Sequence, residues 1–116
     1  THGKTTTTSM CTHIMMAAEK DPTVMIGGTL PLLHACHRVG KGNTIIMESC
    51  EYYNSFLSLN PTIAVILNIE ADHLDFFKDI EDIKHSFRQF AERLRSQPEG
   101  GRVCGEHHAP RLFVRV

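Results

Sequence analysis

The segment Thr62 to Leu67 (TIAVIL) limits the possible folds of this chain more than any other stretch. It is short, and it is apolar at successive positions rather than at every second one. A strand with one wet face alternates apolar and polar residues, whereas a strand in a parallel sheet covered by helices on both sides is continuously apolar. The segment therefore predicts a central strand of a mostly parallel, helix-covered sheet.

Two further strands are predicted upstream of this segment. Thr23 to Ile26 forms a short apolar run that Gly27 and Gly28 are expected to end, and a loop or partial helix follows as far as Gly42. A second run, Thr44 to Met47, leads directly into polar residues. A final strand is possible at Leu112 to Val114, beyond a stretch rich in proline and glycine.

Two helices are predicted, one before the first strand and one after Thr62 to Leu67. The first runs from Lys4 to about Lys20, where Asp21-Pro22 stops it, because proline disfavours helix in the residue before it. The second runs from Asp79 to about Arg95, with Asp79 as its cap and an apolar stripe along one side. The members of that stripe are Ile80, Ile83, Phe87, Phe90 and Leu94. Helices that alternate with apolar strands predict the α/β class.

Composition excludes several classes of protein. The chain has 116 residues and a net charge of −1, so it has no basic field for binding nucleic acid. Its longest apolar run, Ile63 to Leu67, is far below the about 20 residues that a membrane helix needs. No signal peptide is visible, and four widely spaced cysteines favour reduced thiols over a disulfide framework or a zinc site. We therefore expect a cytoplasmic protein.

The tripeptide Gly3-Lys4-Thr5 is the second half of a phosphate-binding loop, G-x-x-x-x-G-K-[ST]. In such a loop the helix start binds anions, Lys4 lies along the β- and γ-phosphates, and the Thr5 hydroxyl binds Mg²⁺. The run Thr5 to Thr8 supports this interpretation, because each β-branched residue costs up to ~0.7 kcal/mol in a helix relative to alanine. The alternative is that G-K-T occurs by chance and opens an ordinary helix.

Polar clusters directly follow two of the predicted strands. Glu48 to Glu51 follows the second strand, and Asn68 to Asp75 follows the third. In open α/β sheets ligands bind outside the carboxyl ends of the strands, so both clusters are expected on the rim that carries the Lys-Thr loop. Together they predict a nucleotide–metal site, although each by itself fits a solvated loop. Imidazole is an unusual Mg²⁺ ligand, so a site that includes His73 suits Mg²⁺ with mixed ligands or Mn²⁺.

Three segments carry a resemblance to a known family. "THGKTTTTSM", "ESCEYYNSFL" and "NIEADHLDFFKDIEDIKHSFRQFAE" resemble the central ATP-binding domain of the Mur ligases, over residues 1–92. The resemblance implies a three-layer sandwich of P-loop type. It also implies ATP-dependent joining of L-alanine to the carboxylate of UDP-N-acetylmuramate through an acyl phosphate, a step of peptidoglycan precursor synthesis. The related member that recycles murein tripeptide is the alternative within the family.

The resemblance also implies roles for individual residues. Lys4 and His73 would be catalytic, and Asp72 and Asp75 would shape the same rim. The metal ligands, for Mg²⁺ or alternatively Mn²⁺, would be Thr5, Glu48 and His73. The nucleotide-binding residues would be Thr1, His2, Gly3, Lys4, Thr5, Thr6 and Asn68.

The resemblance implies a part of a larger enzyme. Residues 1–95 would form a partial central domain, and residues 96–116 a divergent, poorly ordered tail. In the family a glycine and a strand precede Thr1, and N- and C-terminal domains bind the UDP-sugar and close over ATP, so these are the expected partners. We expect the chain to be inactive alone. The alternatives are a weak nucleotide- or metal-binding module and a purely structural remnant.

Overall fold

A computed structural model describes residues 2–71, 73–95 and 102–105, the last four and residue 95 through their backbone only. The chain divides into two compact units, Gly3–Ser49 and Cys50–Val116, the second of which also includes Thr1–His2. Among the described residues, no helix combines the length and apolar character needed to cross a membrane.

The Gly3–Ser49 unit contains one helix and a three-stranded sheet. Its elements are α1 (Lys4–Ala17), β1 (Thr23–Leu30), β2 (Ala35–Arg38) and β3 (Ile45–Met47). The strand order is β2-β1-β3, with β1 antiparallel to β2 and parallel to β3. The predicted mostly parallel sheet therefore agrees with the pairing of β1 with β3 but not with that of β1 with β2, and the class is α/β.

One face of this sheet is buried and the other is exposed. Val24, Ile26 and Leu30 of β1 are buried on the side where α1 contributes Thr8 and Thr12. The intervening positions Met25, Ile45 and Met47 are exposed. This alternation along β1 and β3 is the two-residue period of a strand with one covered face.

Two expectations for this unit were wrong. Gly27 and Gly28 do not end the first strand, which continues to Leu30 with an irregularity in its pairing between Met25 and Leu30. The predicted loop or partial helix contains β2, which returns antiparallel to β1 after a turn over residues 31–34. Glycine weakens a strand but is compatible with it where the hydrogen-bond ladder is irregular. The two glycines therefore do not end β1, although the sequence predicts that they do.

The helix α1 begins where predicted and ends at Ala17, a little short of Lys20. The chain leaves the helix because Glu19 and Asp21 both have left-handed backbone conformations, with φ of 54° and 47°. The run Thr5 to Thr8 is exposed at its start and buried at its end. Thr8 is buried, and its carbonyl accepts a hydrogen bond from the Thr12 hydroxyl at 2.8 Å. Thr8 therefore belongs to the core of this unit and not to a ligand surface.

An ion pair joins the turn after α1 to the end of β2. The Arg38 guanidinium donates to the Asp21 carboxylate and, at 2.8 Å, to the Pro22 carbonyl. The Lys41 amide donates to the other Asp21 oxygen at 2.8 Å. The Arg38 hydrogen bond, followed by that from Lys41, holds the pKa of Asp21 below its ordinary value of 3.8. These bonds fix the loop between β2 and β3 against the turn that precedes β1.

The substitution Asp21→Asn is expected to make the stability of the chain less sensitive to acid. Because the folded-state pKa is lowered, the stabilisation by the carboxylate is complete above pH 3.8 and is lost as pH falls through the lowered value. The variant should therefore melt below the parent at pH 7, and the difference should close below pH 3.8. Thermal melts across pH, with the nearby Glu19→Gln as a charge-matched control, measure this. A difference that persists undiminished in acid would contradict it.

The Cys50–Val116 unit contains a short 3₁₀ segment, one helix and a two-stranded sheet. Its elements are the 3₁₀ segment (Tyr52–Ser58), β4 (Ile63–Ile66), α2 (Ile80–Arg95) and β5 (Arg102–Gly105). Strands β4 and β5 are parallel. The strand β5 was not predicted, and the possible strand at Leu112 to Val114 lies outside the described residues.

The core of this unit lies between α2, the 3₁₀ segment and one face of β4. Its buried members are Phe56, Ala64, Ile66, Phe77, Ile83, Phe87, Phe90, Ala91 and Leu94. The predicted stripe of α2 is confirmed, with Leu94 fully buried and Ile80 at its edge. The expectation that β4 is covered on both faces was wrong for the described residues. Ala64 and Ile66 are buried under α2, whereas Ile63 and Val65 are 59% and 50% exposed.

The predicted cap of α2 is confirmed. The Asp79 carboxylate accepts hydrogen bonds from the amides of Glu81 and Asp82, each at 2.9 Å. These amides are among the four at a helix start that have no partner within the helix. The two acidic residues in the first turn complement the positive end of the helix dipole.

The substitution Asp79→Ala is expected to lower the free energy of unfolding by about 1 kcal/mol, the typical cost of losing an N-cap. Asp79→Asn keeps the acceptor oxygen and is the matched control, which should lose only a few tenths of a kcal/mol. Urea denaturation of the three chains measures both values. Equal losses in the two variants would show that the hydrogen bonds of the cap are not what stabilises the helix start.

Candidate functional site

The helix α1 begins directly after a glycine with a left-handed backbone conformation. Gly3 is in the left-handed conformation, with φ 83° and ψ 5°, and no side chain caps the helix that follows. Glycine reaches this conformation without the steric cost that a Cβ imposes. At a helix start the first-turn amides have no partner within the helix, and these amides together with the positive end of the helix dipole favour a bound anion. Lys4 is half-buried at the first helical position, and Thr5 and Thr6 are exposed beside it.

Thr5 and Glu48 lie in direct contact within the Gly3–Ser49 unit. The Thr5 hydroxyl donates to Glu48 Oε1 at 2.8 Å, and the Gly27 amide donates to Glu48 Oε2 at 2.8 Å. The chain brings Glu48 there because it directly follows β3, and its own amide continues the pairing with β1 by donating to the Met25 carbonyl at 2.8 Å. Two residues predicted as metal ligands, 43 positions apart, are thus hydrogen-bonded to each other.

This pair offers hard oxygen donors. The Thr5 hydroxyl directs its O–H toward Glu48 as a hydrogen-bond donor, so the lone pairs of Oγ1 remain able to bind a cation. Each Glu48 oxygen accepts one hydrogen bond and keeps further acceptor capacity. Hydroxyl and carboxylate oxygens are the ligands that Mg²⁺ prefers, so the residues present fit that ion.

The Cys50–Val116 unit holds a second group of predicted residues, at the end of β4. The Asn68 side chain accepts a hydrogen bond from the His2 amide at 2.8 Å and donates to the His2 carbonyl at 2.9 Å. The His2 ring lies 3.3 Å from a carboxylate oxygen of Glu70. Asn68 therefore holds the backbone of the residue directly before Gly3, as a neighbouring strand would.

His73, in the same unit, is held by an aromatic stack. Its ring lies on that of Tyr52, with centroids 4.6 Å apart and planes at 26°. The Tyr52 hydroxyl donates to Asp75 at 2.6 Å, and this hydrogen bond raises the pKa of Tyr52 above its ordinary value of 10.0. His73 is half-buried, and its carbonyl accepts the amide of Phe77 at 3.0 Å.

Left-handed backbone is concentrated around this stack. His73, Tyr53 and Asn54 have φ of 54°, 52° and 55°. Non-glycine residues adopt this region at a cost, and such residues gather at functional sites. The sequence pointed to His73 and Asp75 but not to Tyr52, because its contacts with these two residues span more than 20 positions and leave no local signal.

The remaining predicted residues have simpler placements. Thr1 and Asp72 lie outside the described residues. Thr6 is exposed on the first turn of α1. The structure joins Thr5 to Glu48 within one unit, and His2 to Asn68 and Glu70 within the other.

Comparison with known proteins identifies the family. The model of the Mur ligase middle domain matches residues 1–100. UDP-N-acetylmuramate–L-alanine ligases of Lachnospira eligens and Agathobacter rectalis are 58% and 59% identical over 96 and 91 residues, or 83% and 78% of this chain. The matched parts are 21% and 20% of those proteins, so the chain spans about a fifth of the length of these relatives.

Two solved structures share the fold. One is a UDP-N-acetylmuramate:L-alanyl-γ-D-glutamyl-meso-diaminopimelate ligase of Neisseria meningitides, with a TM-score of 0.78, 26% identity and coverage of 93% of this chain and 37% of that one. The other is a UDP-N-acetylmuramate–alanine ligase of Thermotoga maritima, with a TM-score of 0.73, 29% identity and coverage of 80% and 22%. The chain therefore belongs to the Mur ligase family, through its middle domain.

Proposed function

We propose that this chain is the ATP- and metal-binding part of a ligase that joins L-alanine to the carboxylate of UDP-N-acetylmuramate. The hydrogen bond between Thr5 and Glu48 carries the proposal, because it pairs two hard-oxygen donors beside an uncapped helix start that follows Gly3. An anion site next to oxygen donors for a divalent cation is what a Mg²⁺-nucleotide requires. The choice of substrates rests on relatives of 50–59% identity that are named for them.

In the proposed reaction an oxygen of the muramoyl carboxylate attacks the γ-phosphorus of ATP, and ADP leaves. The amine of L-alanine then attacks the acyl carbon of the resulting acyl phosphate, phosphate leaves, and the amine loses a proton. Phosphoryl transfer of this kind depends on positioning and on neutralising charge. The residues are therefore expected to act by positioning the phosphates and neutralising their charge.

Overlapping sets of residues would bind the phosphates and the metal ions. Lys4 would neutralise charge on the transferring phosphate, and the first-turn amides with Gly3, Thr5 and Thr6 would bind the phosphates. Thr5 and Glu48 would hold Mg²⁺, which when bound neutralises charge on the β- and γ-phosphates. His73 would be a ligand of a second ion, held in place by its stack on Tyr52. Imidazole there is compatible with Mn²⁺ as well as Mg²⁺.

Asn68 would not contact the nucleotide directly. Both polar atoms of its amide are engaged with the His2 backbone. We therefore assign Asn68 and His2 to shaping the loop that leads into Gly3. Thr1 would contact the nucleotide, and Asp72 and Asp75 would shape the rim that follows β4.

The finer architecture is part of the same proposal. Gly3 in its left-handed conformation and the likeness to two ligase structures support a P-loop-type domain, of which residues 1–95 would be a part. The complete middle domain would be a three-layer sandwich. Further domains of the enzyme would bind the UDP-sugar and close over ATP. Such an enzyme would work in the cytoplasm, where its nucleotide substrates are made.

A chimera tests the proposed reaction. The matching segment of the Lachnospira eligens ligase is replaced by the corresponding residues of this chain, and phosphate release from ATP is measured. We expect release only when UDP-N-acetylmuramate and L-alanine are both present. Release that is independent of either acceptor would contradict the proposal. So would a chimera that melts like the parent enzyme and is stabilised by Mg-ATP but releases no phosphate.

A further inference from the structure

Gly27 contacts the carboxylate that the proposed function assigns to the metal. Its amide donates to Glu48 Oε2 at 2.8 Å, while the Thr5 hydroxyl donates to Oε1 at 2.8 Å. The two oxygens of Glu48 are thus each held by a donor, one from β1 and one from α1. Hydrogen bonds to an ionised acceptor are roughly twice as strong as neutral ones, so this pair fixes the direction of the carboxylate.

The path of the strands makes the Gly27 amide available to a side chain. The pairing of β1 with β3 ends at Met25 and Met47, and the register with β2 is interrupted between Met25 and Leu30. The Glu48 amide makes the next ladder bond, to the Met25 carbonyl. Beyond it, the Glu48 side chain takes the place of a strand partner for Gly27.

The absence of a side chain at Gly27 is equally important. A Cβ there would lie 3.0 Å from Glu48 Oε1 and 3.1 Å from Oε2, closer than ordinary van der Waals contact. The backbone of Gly27 is not in the left-handed region, so an alanine would meet no conformational barrier. The group that must yield is the end of a flexible side chain. Alanine at this position would therefore keep the fold and displace the carboxylate.

We propose that Gly27 is a positioning residue for the metal-binding carboxylate of Glu48, through its amide and through its lack of a side chain. This inference rests on the proposed function, in which Glu48 binds Mg²⁺. Partners that orient a metal ligand typically contribute 10- to 100-fold to metal affinity.

The neighbouring Gly28 provides a matched control. A Cβ at Gly28 would lie 3.7 Å from Thr5 Cγ2, an ordinary contact, and none of its neighbours within 4 Å belongs to Glu48. Gly28→Ala therefore introduces the same methyl group into the same strand without touching the carboxylate. A general weakening of β1 by loss of glycine would affect both variants, whereas displacement of Glu48 would affect only Gly27→Ala.

The test measures Mn²⁺ binding by electron paramagnetic resonance, with the 116-residue chain and a non-hydrolysable ATP analogue. We expect Gly27→Ala to weaken Mn²⁺ binding about 10- to 100-fold. Its affinity for the analogue without metal and its melting temperature should stay close to those of the parent. Gly28→Ala should bind Mn²⁺ like the parent. Unchanged binding in Gly27→Ala, or equal weakening in both variants, would overturn the inference.

A second measurement needs neither metal nor nucleotide. Amide hydrogen exchange at Gly27 should accelerate in Glu48→Ala, while the Met25 amide, on the same strand, should keep its protection. No acceleration would overturn the inference even if Mn²⁺ binds as expected. If the parent chain binds no Mn²⁺, the proposed function of Glu48 fails, and selective acceleration at Gly27 would still show that Gly27 positions this carboxylate.

Discussion

Replacing Lys4 with alanine is expected to abolish the stabilisation of this chain by Mg-ATP. A ligand that binds only the folded state adds about 2.7 kcal/mol of stability at 100 times its dissociation constant. Lys4 is the residue that follows the left-handed Gly3 at the start of α1, where the phosphates are proposed to bind. Without its ammonium group, several negative charges would face the helix start with only amides to neutralise them.

Thermal melts with and without millimolar Mg-ATP measure this effect. Lys20→Ala removes an equal charge from the exposed end of the turn after α1 and is the control, which should keep the full shift. In the chimera, Lys4→Ala should lower the rate of phosphate release by about 100-fold or more, the cost of removing one preorganised donor to a transition state. A Lys4→Ala chain that Mg-ATP stabilises as much as the parent would contradict the role of the loop.

Replacing Phe77 with alanine is expected to lower the free energy of unfolding by about 3–5 kcal/mol. Phe77 is 2% exposed and belongs to the core cluster beneath α2. Such a loss is a large part of the about 5–15 kcal/mol by which folded domains are stable. The substitution should also loosen the turn that holds His73, because the Phe77 amide donates to the His73 carbonyl at 3.0 Å.

The adjacent Phe76 is the matched control. It is 36% exposed and makes edge contacts with the rings of Tyr52 and Phe77. Phe76→Ala removes the same number of atoms but is expected to cost about 1 kcal/mol, the scale of an aromatic pair outside a core. Urea denaturation of the two variants compares them. Equal losses would show that the burial of Phe77 is not what anchors this turn.

The elements that the sequence predicted well are those with a strong local pattern. The stripe on α2 and the Asp79 cap depend on residues a few positions apart, and both are present. Short apolar runs also predicted the strands β1 and β3, which are parallel to each other as in the expected type of sheet. In each case the signal lies within one element.

The elements that were missed depend on distant partners. The segment of β2, Ala35–Arg38, has no alternation of its own and becomes a strand by pairing with β1. The strand β5 lies in a glycine-rich stretch and is defined by its pairing with β4. The apolar run Thr62 to Leu67 predicts a strand covered by helices on both faces, but such a run does not show which of its residues will be buried.

The candidate site divides in the same way. Thr5 and Glu48 were each recognised from the residues around them, and the fold brings them to 2.8 Å. The sequence predicts that Gly27 ends a strand. Its contact with Glu48 depends on where β3 ends and on the rotamer of Glu48, neither of which is visible in the residues around Gly27. A side chain with the chemistry of a metal ligand can be identified from the sequence, whereas the backbone amide that orients this side chain cannot.

Calorimetric titration of the 116-residue chain with ATP, with and without Mg²⁺, tests the central claim most directly. The claim is that the loop at Gly3 and the Thr5–Glu48 pair form one site for a metal–nucleotide complex. It predicts that ATP binds measurably with Mg²⁺ and at least about tenfold more weakly without it, and that Glu48→Ala removes the dependence on Mg²⁺. Absence of ATP binding with Mg²⁺, or an affinity that is the same with and without Mg²⁺ in the parent chain, would contradict the claim.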